Sequence, residues 1–263
     1  MDLDLRKLRY FATVAELKHF GRAAERLYIA QPVLSRQIRA LESELGCALL
    51  TRSTRNVQLT AAGERLYEES RAVLATVDSA VRRVHEADRG VERLVVGFMP
   101  GLHVSQAVRV FSAEHPNVEI EFVQMHWWEQ DAPLRDGRIE VGCLRRPFDE
   151  SGLRVELLAS EQKVACLPVT HPLATKQALS MADLAGESIM STQSRRTATV
   201  EEKFELIAAG GGVALVPESL AATYSRPDIA YVPVLDAEPV EICLAVAGDR
   251  AQPRVLDFLR AAV

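Results

Sequence analysis

Gln31-Pro-Val-Leu-Ser-Arg-Gln-Ile-Arg-Ala-Leu-Glu-Ser-Glu-Leu45 is the stretch on which the fold turns. At about 100° per residue, Ile38, Leu41 and Leu45 fall within about 40° of Leu34, one narrow apolar stripe that must face a core. Pro32, Ser35, Arg36 and Arg39 lie on the other side, roughly 100–200° away from Leu34. Glu42 and Glu44 come later, so this outward face carries donors and cations but no carboxylate in its first two turns. A solvated helix face normally mixes both charge signs. A one-sided face at the helix start suits insertion, N-terminus first, into the major groove of DNA. The competing reading is a solvated face that happens to be basic. Pro32 fits the first turn, where its missing N–H costs nothing.

Working outward toward the N-terminus, Leu5, Leu8, Phe11, Ala12 and Ala15 recur at helical spacing. Gly21 opens a short helix through Leu27, whose Ala23 and Ala24 permit close approach of a neighbour. Tyr28 to Gln31 then leaves room only for a turn, which gives a helix-turn-helix over about residues 20–39. Toward the C-terminus, Ala48 to Leu59 reads as two short strands around a polar turn, with Arg52 and Arg55 placed to reach phosphates or the minor groove. Thr60 offers its hydroxyl as the cap of a long helix. Within that helix Leu66, Ser70, Val73, Val77, Ala80, Val84 and Ala87 follow alternating steps of four and three, and Leu74 and Val81 widen the stripe. Such a repeat calls for a second helix, with burial against its own domain as the alternative. Arg89-Gly-Val closes the helix. The expected layout is a winged helix-turn-helix over residues 3–60, a linker and dimerisation helix over 61–89, and a third part over 92–263.

That third part alternates strands and helices: Leu94–Phe98, a helix Val104–Ala113, Val118–Val123, Ile139–Leu144, Lys163–Leu167, a helix Val200–Ala209, Val213–Val216, Ile229–Val234, Val240–Val246 and a closing helix from Val255. The alternation predicts an α/β, doubly wound domain with a mainly parallel sheet, split into two lobes. A small ligand would bind in the crevice between them.

Composition agrees. The 263 residues are 48% hydrophobic and 25% charged, which is ordinary for a globular chain. Residues 1–90 carry 15 Lys and Arg against 12 Asp and Glu, net +3, whereas the rest carries 16 against 24, net −8. A polyanion partner is therefore expected at the N-terminal part. The start of the chain lacks the basic-then-apolar order of a signal peptide, and no apolar run is long enough to cross a bilayer, so a cytoplasmic protein without a membrane partner is expected. Cys47, Cys143, Cys166 and Cys243 form no CxxC pair. Reduced, buried thiols are the plain reading, and a redox sensor with an exposed, acidified thiol is the alternative.

With Leu8-Arg-Tyr-Phe-Ala-Thr-Val-Ala-Glu16, Phe20–Leu27, Ala30–Glu42, Glu44-Leu-Gly46 and Leu59-Thr-Ala-Ala-Gly63 in hand, the chain resembles the LysR-type transcriptional regulators. The likeness runs without a gap over about residues 3–90. Beyond that it is one of pattern, as in Ile207-Ala-Ala-Gly-Gly-Gly-Val-Ala-Leu-Val-Pro217. The resemblance implies that Gln31, Pro32, Ser35 and Arg36 approach bases and nearby backbone, that Arg39 follows a phosphate strand, and that Arg55 serves the wing. It also implies a homodimer or homotetramer through Leu66, Val73, Val77, Ala80 and Val84, an inverted-repeat operator in double-stranded DNA, and a small-molecule effector between periplasmic-binding-protein-like lobes. RNA polymerase is a further candidate partner.

Two departures from the family pattern stand out. Ala30 occupies the position where the family usually has Ser, so the helix loses a side-chain cap. Between Met190 and Val200 there is only the polar stretch Ser191–Thr199 where the family places a helix and a strand, so the second lobe is expected to be short. A regulator with a vestigial, non-sensing C-terminal domain is therefore the alternative function.

The resemblance places the effector near the turn Met99, Pro100, Gly101 and Leu102, where free backbone N–H groups could hold an anion, and Arg146 beside Arg145 could pair with a carboxylate. Trp127 and Trp128 could form an aromatic wall or a dimer contact, with ordinary packing as the default. Gly210-Gly-Gly212 reads as a helix C-terminus rather than a phosphate loop. His103, His115 and His126 are not at metal-ligand spacing, no catalytic constellation is evident, and neither a metal, a cofactor nor an enzymatic activity is expected.

Overall fold

The computed structural model describes residues 3–52, 57–127, 129–190, 199–248 and 252–262, with Arg52 described in its backbone alone. It divides into two compact units, residues 1–85 and 86–263.

In the first unit, α1 (Leu5–Leu17), α2 (Phe20–Arg26) and α3 (Gln31–Leu45) pack around Phe11, Val14, Ala23, Leu34, Ile38 and Leu41. The apolar stripe of α3 is fully buried, since Leu34, Ile38 and Leu41 are each 0% exposed. Asp4 caps α1 by accepting from Arg6 N–H, and His19 Nδ1 caps α2 by accepting from Arg22 N–H. A two-stranded wing follows, β1 (Leu50–Arg52) antiparallel to β2 (Val57–Leu59). Thr60 Oγ1 accepts from Gly63 N–H at 3.0 Å and opens α4 (Ala61–Arg89). Gly63 is required there, because a Cβ would lie 2.0 Å from Leu49 O at the wing.

In the second unit one sheet has the order β4-β3-β5-β10-β6, built from β3 (Glu92–Phe98), β4 (Val118–Gln124), β5 (Val141–Arg145), β6 (Leu153–Glu161) and β10 (Val240–Ala247). Helices α5 (Ser105–Glu114) and α9 (Pro253–Ala262) close its core through Phe111 and Phe258, and the one-turn α6 (Ala132–Arg135) contributes Leu134. The other sheet has three strands, β8-β7-β9, formed by β7 (Lys163–Pro168), β8 (Ala214–Pro217) and β9 (Ile229–Pro233). Alternate residues of β7 face opposite sides. Val164 and Cys166 pack with Phe204 and Ile207 of α7 (Val200–Ala208) and Ala221 of α8 (Glu218–Thr223), whereas Ala165 and Leu167 pack with Leu179 and Leu184 beside short 3-10 turns. The chain crosses between sheets through Gln162 and returns between Pro233 and Val240.

The sheets are mixed rather than mainly parallel. β3 runs parallel to β4 and β5, but β10 is antiparallel to both β5 and β6, and β7 is antiparallel to β8 and β9. The strand β6 and the helix α8 were not expected from the sequence. Among the described residues the second sheet has three strands and the first five; residues 191–198, on which the expectation of a short lobe rests, lie outside the described residues.

Candidate nucleic-acid interface and effector cleft

Helix α3 starts at Ala30 without a side-chain cap and ends at Gly46, whose φ of 70° the missing Cβ permits. Gln31, Pro32, Arg36 and Arg39 are exposed and Ser35 is half-buried. No ion pair among the described residues uses Arg36 or Arg39. The carboxylates of α3 are turned to packing: Glu42 accepts from Leu49 N–H at 2.9 Å and Leu50 N–H at 3.2 Å, and Glu44 pairs with Lys7 of α1. The fold thus spends both acids on holding α3 to the wing and to α1, and leaves the outward face basic. Arg55 and the side chain of Arg52 lie outside the described residues. On α4, Leu66 packs toward the helix-turn-helix core and Val77 is half-buried, while Ala80 is exposed and Val73 and Val84 are 43% and 67% exposed.

A cleft of about 410 Å³ opens within the second unit. Met99, Pro100 and Trp127 line it from the five-stranded side, and Val200, Lys203, Phe204 and Ile207 of α7 line it from the other. Among the described residues its charged and amide lining is Gln130, Arg145, Arg146, Lys163 and Lys203, with no Asp or Glu. Arg145 is buried at the crossing between the sheets. It donates to Glu161 Oε1 (2.7 Å), Pro100 O (2.7 Å) and Ser219 Oγ (2.6 Å), and Glu161 Oε2 accepts in turn from Ser219 N–H (3.0 Å). Arg146 donates to Glu150 and Glu241, each at 2.6 Å. Lys203 Nζ stands 3.3 Å from the centroid of the Trp127 ring, and burial pushes its pKa down to about 8.

Of the expected effector residues, Met99, Pro100 and Arg146 line this cleft, and Gly101 and Leu102 do not. Gly101, with φ 80°, is a packing residue: a Cβ there would meet Leu220 Cα at 2.7 Å. Two of the backbone donors of this turn are already engaged. Met99 N–H is held by Cys143 O, Leu102 N–H by Met99 O, and Pro100 has none. Both arms of Arg146 already meet protein carboxylates. Trp128 and residues 191–198 lie outside the described residues. Sequence reasoning missed Lys203, although a cation between Val200, Phe204 and Ile207 on the apolar side of an amphipathic helix was a usable signal.

Burial pushes the Cys143 and Cys166 thiols up to about 12 and raises Cys243 as well, opposite to the acidification a redox thiolate needs. Cys47 is exposed.

A winged helix-turn-helix followed by a long helix and a two-sheet domain with a ligand-sized cleft defines a DNA-binding regulator with an effector-binding domain. A family model described as bacterial regulatory helix-turn-helix protein, lysR family, matches residues 5–64, and one described as LysR substrate binding domain matches residues 87–205. The HTH-type transcriptional regulator AlsR of Bacillus subtilis (strain 168) is 32% identical over 98% of this chain and 94% of its own length. The regulator YnfL of Escherichia coli (strain K12) is 40% identical over 71% of this chain, and that match spans 65% of YnfL. Among solved structures, CbnR, a LysR family transcriptional regulator, superposes with a TM-score of 0.68 at 25% identity, covering 99% of this chain and 98% of its own. The chain belongs to the LysR-type family of DNA-binding transcriptional regulators.

Proposed function

We propose that the chain binds an inverted-repeat operator as a homodimer or a tetramer, and that a small molecule in the cleft alters that binding. The observation that carries the reading is the outward face of α3, where Gln31, Pro32, Arg36 and Arg39 are exposed and both carboxylates of the helix are engaged elsewhere. Gln31 pairs with an adenine edge, Arg36 with guanine, Pro32 packs on a thymine methyl, and Ser35 and Arg39 hold backbone. Arg52 and Arg55 extend the contact from the wing. A solved structure of full-length CbnR complexed with its target DNA, 26% identical with a TM-score of 0.63, supports the DNA reading. The apolar positions of α4 supply the dimer, and Met99, Pro100, Arg146 and Lys203 belong to the effector site. The cleft favours a sensing domain over a vestigial one. The protein acts as a regulator rather than an enzyme; no helix of the described residues is long and apolar enough to cross a membrane, in keeping with a cytoplasmic role.

Footprinting on the DNA upstream of the gene tests this reading: a protected inverted repeat is expected, and purely non-specific, salt-limited binding would overturn it. In the same assay Arg36→Ala is expected to relax base preference at one position per half-site, at a cost of about 1–3 kcal/mol. An equal loss on every sequence would assign Arg36 to phosphate instead.

A further inference from the structure

The corner where α1 meets α2 is built against its own stability. Lys18, the C-cap of α1, holds the left-handed region with φ 49°, where a glycine would sit without strain. His19 caps α2 through Nδ1, which accepts from Arg22 N–H at 3.2 Å, at a position where Ser, Thr, Asp and Asn are preferred. Gly21 brings poor helix propensity into the first turn. Arg22 puts a cation into the same turn, which holds no acidic residue, although the free N–H groups there favour negative charge. These unfavourable choices all fall within residues 18–22.

What they share is a surface. Lys18, His19 and Arg22 are exposed, and no ion pair among the described residues uses any of them. With Nδ1 accepting, the neutral imidazole carries its proton on Nε2, which leaves that N–H as a donor. The corner also adjoins α3. A Cβ on Gly21 would stand 3.1 Å from His19 Cε1 and 3.6 Å from Gln31 Oε1, so the missing side chain lets the imidazole and the Gln31 amide close over the first turn of α2. Arg26, at the far end of α2, is placed differently: it pairs with Glu16 at 2.8 Å.

We propose that Lys18, His19 and Arg22 form a phosphate clamp on the DNA strand beside the base that Gln31 faces, and that the clamp sets the register of α3 in the groove. The proposal rests on the reading of α3 as the helix that enters the groove. The donors are side chains: the two cations neutralise backbone charge, and His19 Nε2–H donates to a phosphate oxygen. None of the three meets a base edge, so the clamp adds affinity and placement without a sequence preference of its own. A phosphate at this corner also offsets the cost of a cation in the first turn of α2.

The test uses the full chain with Lys18→Gly, His19→Ser and Arg22→Ala combined, set against Arg26→Ala. Affinity is measured over a range of salt on a duplex carrying the footprinted repeat and on a scrambled duplex of equal length. The triple variant is expected to bind both duplexes about tenfold or more weakly, with a salt slope shallower by about one for each cation removed from each bound copy. Its Tm should equal or exceed the parent's, because each replacement relieves a local cost. Arg26→Ala should change neither affinity nor slope. Affinity of the triple variant close to the parent's, an unchanged salt slope, or a loss confined to the footprinted duplex overturns the proposal. So does an equal loss per charge in Arg26→Ala, which would assign the effect to net charge, or a lowered Tm, which would make the corner a packing feature. If the parent protects no repeat, the operator reading fails, while the clamp is still judged on the scrambled duplex.

Discussion

Arg145 ends β5 with its side chain 9% exposed, facing a Glu161 side chain that is 10% exposed. Such a pair is weak as a source of net stability, since desolvation offsets its attraction, yet removing one partner strands the other. Arg145→Met is therefore expected to lower unfolding free energy by about 3–5 kcal/mol, and Arg145→Met with Glu161→Leu to recover most of that loss. Denaturant titration of the three proteins checks it; an equal deficit in the single and double variants would show that the contacts to Pro100 and Ser219 dominate. Ala30 is the opposite case, a position where a group is missing. Ala30→Ser is expected to add about 0.5–2 kcal/mol by capping α3, read as a raised denaturation midpoint. Ala30 was legible because a cap is a local requirement written in one residue. Arg145 was visible only as one of two arginines after a strand, because Glu161, Pro100 and Ser219 come from distant parts of the chain.

The elements were legible where their periodicity is unbroken. Helices α3 and α4 follow from the spacing of Leu34, Ile38 and Leu41 and of Leu66 to Val84. Strand β6 was missed although Leu153 to Leu157 alternates apolar and polar. A bulge inserts Leu158, since Leu157 pairs with Cys243 while Ala159 pairs with Ile242, and the alternation slips by one. Strand direction was misread because parallel and antiparallel neighbours share side-chain patterns once both faces are covered. Helix α7 carries the consequence for pH. The Lys203 pKa is about 8 in the folded chain against 10.5 for a free lysine, lowered by burial. Between these values the unfolded chain holds the proton and the folded one does not, so stability from this group rises with pH across that window and its destabilising effect is full below about pH 8. Among the described residues the other charged groups lining the cleft are Arg145, Arg146 and Lys163. The Tm of the parent relative to Lys203→Met is expected to rise from pH 8 to pH 10; a flat difference would mean that Lys203 keeps its charge.

For the whole molecule the decisive quantity is how many copies meet the DNA. Residues 1–90 are net +3 and the remainder net −8, so a single copy brings a modest basic head on an acidic body that the phosphates repel. Pairing doubles the reading surface, and it requires a face that one copy leaves uncovered. On α4 that face exists: Val73, Val81 and Val84 are 43%, 51% and 67% exposed, whereas Leu74 on the same helix is 9% exposed. Three exposed valines within about 80° of one another around the helix carry a cost that a second helix removes, at about 25 cal/mol per Å² of apolar surface covered. Val84→Asp puts a carboxylate into that seam, where a second helix would have to bury it unpaired. Arg83→Asp, one position off the stripe, changes charge more strongly without entering it. Sedimentation equilibrium is expected to show Val84→Asp shifted toward monomer and Arg83→Asp unchanged, with DNA affinity for paired half-sites falling at least tenfold in the first alone. Equal dissociation in both variants would assign the effect to net charge, and an unshifted Val84→Asp would move the dimer to another face.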